Sequence, residues 1–271
     1  MAWRGRASVL LPALLAGLLA ACGGTTAGAH STTSVPGVDP PAKRCGPPAR
    51  PAQVVTLRTS DDVRLDGAIV GKGPRGIVLV HEAGARVLCG WWPYAVRLAD
   101  TGFRVLLFDL RCYGLSGCPS GREDDVVDDV AAAVEELRGK GATSIELVGA
   151  SYGGSVALVA TARLADVSAL ADLSGDELTE PIGGQGRPTT AVRAAADARA
   201  PALLAVARND GYIALKDERA LYRRLGSSRK RLVVLPPEAG HGWDLLARVG
   251  APDEWSQFAR TLTAFLVAHS S

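Results

Sequence analysis

Ser151 stands in Gly149-Ala150-Ser151-Tyr152-Gly153, a G-x-S-x-G run. A serine hydroxyl attacks a carbonyl only when a base takes its proton, and small neighbours let it sit on a sharp strand-to-helix turn. The run is short enough to arise by chance, so its setting decides. An apolar strand-like stretch, Ser144–Val148, precedes it, and a small-residue helix pattern, Gly153–Leu164, follows. Of the four histidines, His30 lies in a Gly/Ser/Pro-rich stretch, His269 near the C-terminal end and His81 at the end of a strand-like run. His241 sits between Gly240 and Gly242, which leave its ring free to turn back over the site, and is the expected base. Such a base needs a carboxylate to hold its tautomer and stabilise its charged form. Asp210, in the turn Asn209-Asp210-Gly211, is the expected acid, and Asp176 is its rival.

The elements that must position these residues alternate in kind. Val54–Arg58 and Val63–Val70 read as an opening antiparallel pair around Ser60-Asp61-Asp62. Ile77–Val80, Val105–Phe108, Ser144–Val148, Val167–Leu173, Ala202–Ala207 and Arg231–Leu235 are apolar runs of strand length, as expected of strands buried on both faces. Between and after them, Trp91–Asp100, Asp124–Arg138, Gly153–Leu164, Thr190–Ala198, Ala214–Leu225 and Asp253–His269 read as helices. The pattern predicts an α/β domain with a mainly parallel sheet covered on both faces. Gly175–Pro188 is too short and too rich in glycine and proline for a helical lid, so the site is expected to be open. Trp91, Trp92 and Tyr113 fall near strand ends on that side, with a pocket wall and ordinary core packing both open to them.

From about Val54 to Leu266 the chain resembles the α/β-hydrolase superfamily, in its cap-less esterase and dienelactone-hydrolase-like form. The resemblance rests on GASYGG at 149–154, the turn RNDGY at 208–212 and AGHGWDLL at 239–246. The order Ser151, Asp210, His241 is that family's order of nucleophile, acid and base. The resemblance implies an eight-stranded sheet with its site at the strand carboxyl ends and no cofactor or metal. It also implies an oxyanion hole of two backbone amides. One donor would come from Tyr152, after the nucleophile. The other would come from the loop His81-Glu82-Ala83-Gly84, with Ala83 as the choice; the family often has His-Gly there, and this chain has Glu82 in the glycine position.

The N-terminus reads as an address. Arg4 and Arg6 precede an apolar run, Val9–Ala21, of signal-peptide length. It ends in Leu19-Ala20-Ala21-Cys22, which resembles the lipobox of bacterial lipoproteins; that likeness implies a lipid on Cys22 and a protein exported to the outer face of the cell membrane. The expected organisation is a signal peptide at 1–21, a lipid-anchored flexible tether at 22–51 and the hydrolase domain at 52–271. The formal charge is +2, and the two signal arginines account for all of it. A balanced mature chain has no electrostatic footprint for nucleic acid, and the expected partners are a small ester and the membrane, with the protein itself a monomer.

Cysteines 45, 89, 112 and 118 suggest two disulfides in an exported chain. Three connectivities are open; Cys112 with Cys118 and Cys45 with Cys89 is the arrangement considered first. Two other motifs fail. His81-Glu82 lacks the second histidine of a zinc site, because Ala85 stands in its place, and Gly71-Lys72-Gly73 is followed by Pro74, with no hydroxyl residue for a phosphate loop. Ester hydrolysis through an acyl-enzyme on Ser151 is the expected function. An acyltransferase on the same serine and a non-catalytic binding lipoprotein are the alternatives.

Overall fold

The structure is a computed structural model, and it describes residues 41–176, 179–184 and 188–270. The signal segment and Cys22 lie outside the described residues. A short helix, α1 (Pro41–Arg44), leads into β1 (Gln53–Arg58), β2 (Arg64–Val70) and β3 (Arg75–Val80). Then follow α2 (Trp92–Asp100), β4 (Phe103–Phe108), α3 (Val126–Gly139), β5 (Ser144–Ala150), α4 (Tyr152–Arg163) and β6 (Val167–Leu173). The chain ends with α5 (Ala191–Ala194), β7 (Ala202–Ala207), α6 (Leu215–Arg224), β8 (Lys230–Leu235), a small pair β9 (Ala247–Arg248) and β10 (Ala251–Trp255), and α7 (Gln257–His269).

Eight strands form one sheet in the order β1-β2-β4-β3-β5-β6-β7-β8. β2 runs antiparallel to β1 and β4, and the other pairings are parallel. In β3 the side chains alternate between two cores: Val78 and Val80 join one cluster, and Ile77 and Leu79 the other. That two-residue period, apolar on both sides, is why the strand reads as an unbroken hydrophobic run. Helices α3, α4, α5 and α6 cover the first face, and α2 and α7 the second.

Two expected helices differ. α7 begins at Gln257, not at Asp253, because Ser256 caps it, accepting from the Ala259 amide at 3.0 Å. The residues before it pair with β9 instead. The helix expected over Thr190–Ala198 shortens to α5, capped by Thr190. Between β6 and β7 the described residues otherwise hold one bridge, Ile182 with Thr189, and no large cap. Trp91 and Trp92 are core residues, not pocket walls: both are fully buried, and their indole N–H groups donate to Val80 O (2.9 Å) and Pro48 O (3.0 Å). Tyr113 is partly buried, edge-on to His81.

Residues 41–51 of the expected tether are held to the domain rather than free. Cys45 is bonded to Cys89, and Arg44 bridges Asp66 (2.7 Å) and the buried Asp109 (3.3 Å). The second disulfide joins Cys112 to Cys118.

Candidate active site

Parallel strands aligned in register bring the ends of β5, β6, β7 and β8 to one edge of the sheet. Ser151, Asp176, Asp210 and His241 follow those four strands in that order. Ser151 itself lies between β5 and α4 at φ 51°, ψ −125°, a conformation rare for a residue with a side chain. The sequence makes that turn possible by omission. A Cβ on Gly149 would collide with the Gly153 backbone, and one on Gly153 with the carbonyl oxygens of Val80 and His81. The helix can therefore start directly against the end of β3, and the Ser151 amide is tied to Leu173 O at 2.9 Å.

His241 and Asp210 meet across two loops, with Nδ1 at 2.8 Å and 3.0 Å from the two carboxyl oxygens. Asp210 is itself held by the amides of Tyr212 (2.9 Å) and Ile213 (3.2 Å). Burial alone would raise its pKa, but the bonds from His241 and Tyr212 outweigh burial and keep it below the ordinary carboxylate value. For His241 burial acts downward, and the bond to and charge of Asp210, with the charges of Glu82 and Asp176, outweigh it and hold the imidazole above its usual 6.5. The exposed Tyr212 ring lies over the imidazole at 4.5 Å between centroids.

Ser151 Oγ donates to Asp176 Oδ2 at 2.9 Å. No hydrogen bond joins Ser151 to His241 among the described residues. Asp176 therefore touches the serine, while the histidine's carboxylate partner is Asp210. In the sequence, the only signal for this contact is the place of Asp176 just past β6.

The loop after β3 is organised by His81. Its buried ring bonds Glu82 O through Nδ1 at 2.7 Å and accepts the Leu110 amide on Nε2 at 3.0 Å. The ring is thus neutral with its proton on Nδ1, and burial pushes its pKa down to about 4. In a trans peptide the C=O and the next N–H point oppositely, so the Ala83 N–H is directed away from the His81 ring. Ala83 is exposed, and Tyr152 opens α4 beside Ser151. Glu82 is pushed up to about 7 by burial, against the opposing charge of His241. A Cβ on Gly242 would strike its carboxylate, which places Glu82 beside the imidazole loop. Below the site, Asp172 on β6 and Glu218 on α6 are fully buried and both raised, first by burial and then by neighbouring carboxylates. Neither the His81 anchor nor this acidic floor is legible in the local sequence. Among the described residues, no group of three or more His, Cys, Asp or Glu could hold a metal.

An esterase of Pyrococcus furiosus superposes with a TM-score of 0.69 at 19% identity, over 85% of this chain and 94% of that one. A thermophilic esterase of Thermogutta terrifontis gives 0.65 at 19% identity, over 81% of this chain and 100% of its own. An esterase of Exiguobacterium antarcticum gives 0.64 at 17%, over 79% and 99%. At such identities these likenesses speak for the fold alone. A sequence search of curated proteins finds no match. The family model for alpha/beta hydrolases matches residues 77–271, from within β3 onward through every strand end that carries a candidate site residue, and on that match the chain belongs to the alpha/beta hydrolase family.

Proposed function

We propose that the protein is a serine hydrolase that cleaves carboxylic esters through an acyl-enzyme on Ser151. The observation that carries this reading is the bond from His241 Nδ1 to Asp210 at the sheet edge where Ser151 occupies its positive-φ turn. Asp210 holds the imidazole proton on Nδ1, which leaves Nε2 as the base. To react, the Ser151 hydroxyl turns from Asp176 to His241 and passes its proton to Nε2 as Oγ attacks the ester carbon. The amides of Tyr152 and Ala83 are the proposed donors to the resulting oxyanion, each worth on the order of 3 kcal/mol. Collapse expels the alcohol, which takes the proton from His241, and water then releases the acid by the same steps in reverse. The esterases of like fold support an ester as substrate. With no large cap over the site, short-chain and water-soluble esters are favoured, since little acyl surface is buried.

A fluorophosphonate probe tests the reading: it should label Ser151 in the wild type and leave Ser151→Ala unlabelled. Labelling elsewhere would sink it. An ester panel with added alcohol acceptors then separates hydrolysis from acyl transfer on the same serine.

We further propose that the protein is exported and lipid-anchored. The two disulfides support export to an oxidising compartment, and the sequence around Cys22 supports a lipid anchor. In a bacterial host, Cys22→Ser should move the protein from the detergent phase to the aqueous phase. Equal membrane association in both forms would refute the anchor.

A further inference from the structure

We infer that Asp176 holds the water that releases the acyl group from Ser151. The inference rests on the serine-hydrolase reading above and concerns only its second half. In the free protein Ser151 Oγ gives its single proton to Asp176 Oδ2 at 2.9 Å. After acylation Oγ is an ester oxygen and has no proton to give. Two acceptors are then left side by side at hydrogen-bond distance, an arrangement that calls for a new donor. The other carboxyl oxygen, Oδ1, is buried and has no hydrogen-bond partner among the described residues. No Lys or Arg forms an ion pair with Asp176 among them either. The group is thus an acceptor at the nucleophile whose one hydrogen-bond partner among the described residues is lost when the acyl-enzyme forms.

The backbone is built to put it there. Ser151 N is bonded to Leu173 O, at the end of β6, and the next residue, Ser174, turns at φ 55° with its amide on Ala205 O at 2.8 Å. A left-handed conformation at a non-glycine residue is strained and persists only where its surroundings hold it; here it turns the chain just before the carboxylate on Ser151. His241 has Nδ1 committed to Asp210, so its Nε2 is the second acceptor at the site. A water between Asp176 and Nε2 donates one hydrogen bond to each. Its oxygen bonds to the acyl carbon and the carbon–Oγ bond breaks. The proton given to Nε2 moves on to Oγ, and the other stays with the carboxylic acid product. An alcohol in the water's place has a single hydroxyl proton, which passes through Nε2 to Oγ as the transferred ester forms, so it leaves no hydrogen bond for Asp176.

The test uses the full-length protein and p-nitrophenyl acetate, an activated ester whose good leaving group makes release of the acyl group the expected limit on kcat. For Asp176→Asn and Asp176→Ala the expected result is a burst of nitrophenol followed by slow turnover, with acetyl-Ser151 accumulating by mass spectrometry. Expected values are a fall in kcat of roughly ten- to a hundredfold and a kcat/KM within about threefold of wild type. Fluorophosphonate labelling at the wild-type rate shows that both variants are folded around an intact serine. An acyl-enzyme that decays at the wild-type rate in both variants overturns the inference alone. So does a kcat/KM that falls with kcat and no acyl-enzyme. A wild type that is never acetylated on Ser151 overturns the serine-hydrolase reading, and this inference with it.

Discussion

His241 Nδ1 and the Asp210 carboxylate lie 2.8 Å apart although 31 positions separate them in the chain. The bond fixes which imidazole nitrogen carries the proton, so replacing the carboxylate changes the tautomer more than the geometry. Asp210→Asn is expected to lower kcat by about 10³- to 10⁴-fold with the fold intact. Ser151→Ala and His241→Ala should each remove most activity, and their combination should cost little more than either alone, because the groups act as a unit. Steady-state kinetics with circular dichroism as the folding control checks this, and additive losses would point to a different base.

The pH profile follows from the same pair. The proposed base, His241, would accept a proton only when neutral, and Asp210 holds its pKa above 6.5. Activity should therefore rise with pH through a limb lying above 6.5. Asp210→Asn removes the charge and the accepting bond that raise the imidazole most, and leaves the burial that lowers it with only the lesser charges of Glu82 and Asp176 against it. The acid limb of the residual activity should then move to lower pH. A limb unmoved by the substitution would mean that another group titrates.

Glu146, fully buried on β5, provides a stability test away from the site. Burial, against the charge of Arg75, pushes its carboxyl up to about 8 from an ordinary value of 4.5. The folded protein keeps this proton where the unfolded chain has lost it. The stabilisation is complete below about 4.5 and is lost as the pH rises through about 8. Glu146→Gln should flatten that decline and leave the variant the more stable by a few kcal/mol in alkali. Urea denaturation in mildly acidic and alkaline buffers measures it.

Gly153 has no room for a side chain, since a Cβ there would run into the carbonyl oxygens of Val80 and His81. Gly153→Ala should destabilise the domain by roughly 3 kcal/mol and disturb the turn at Ser151. Gly139, at the end of α3, has open space around it, and Gly139→Ala should be neutral or slightly stabilising. Thermal melts of the two variants make the comparison.

The two disulfides close loops of different size, with partners 44 and 6 positions apart. Loop-closure entropy predicts about 4 kcal/mol for the Cys45–Cys89 pair and about 2 kcal/mol for Cys112–Cys118. Replacing each pair by serines and comparing chemical denaturation should return that order. The reverse order would mean that native contacts, Arg44 with Asp66 and Asp109 among them, hold the 41–51 segment without the bond.

Much of the frame is legible in local sequence pattern. Ile77–Val80 reads as a strand buried on both faces, because four consecutive apolar residues at strand length have no solvent side. Gly149 and Gly153 around Ser151 announced a tight turn, since the missing Cβ atoms are what allow it. Local pattern also placed Asp210 after one strand and His241 after the next. What it could not supply was the choice among neighbours that are distant in the chain. Trp91 and Trp92 went to the core because the Val80 and Pro48 carbonyls were there to accept their N–H groups. Residues 251–255 became a strand because β9 was at hand to pair with them and Ser256 could cap the helix after them. The hydroxyl of Ser151 points to Asp176 because a strained turn at Ser174 lies just before that carboxylate. A hydrogen bond needs two groups within about 3 Å in the right direction, and for residues 25 positions apart that distance is set by the sheet and its loops, not by the sequence around either one.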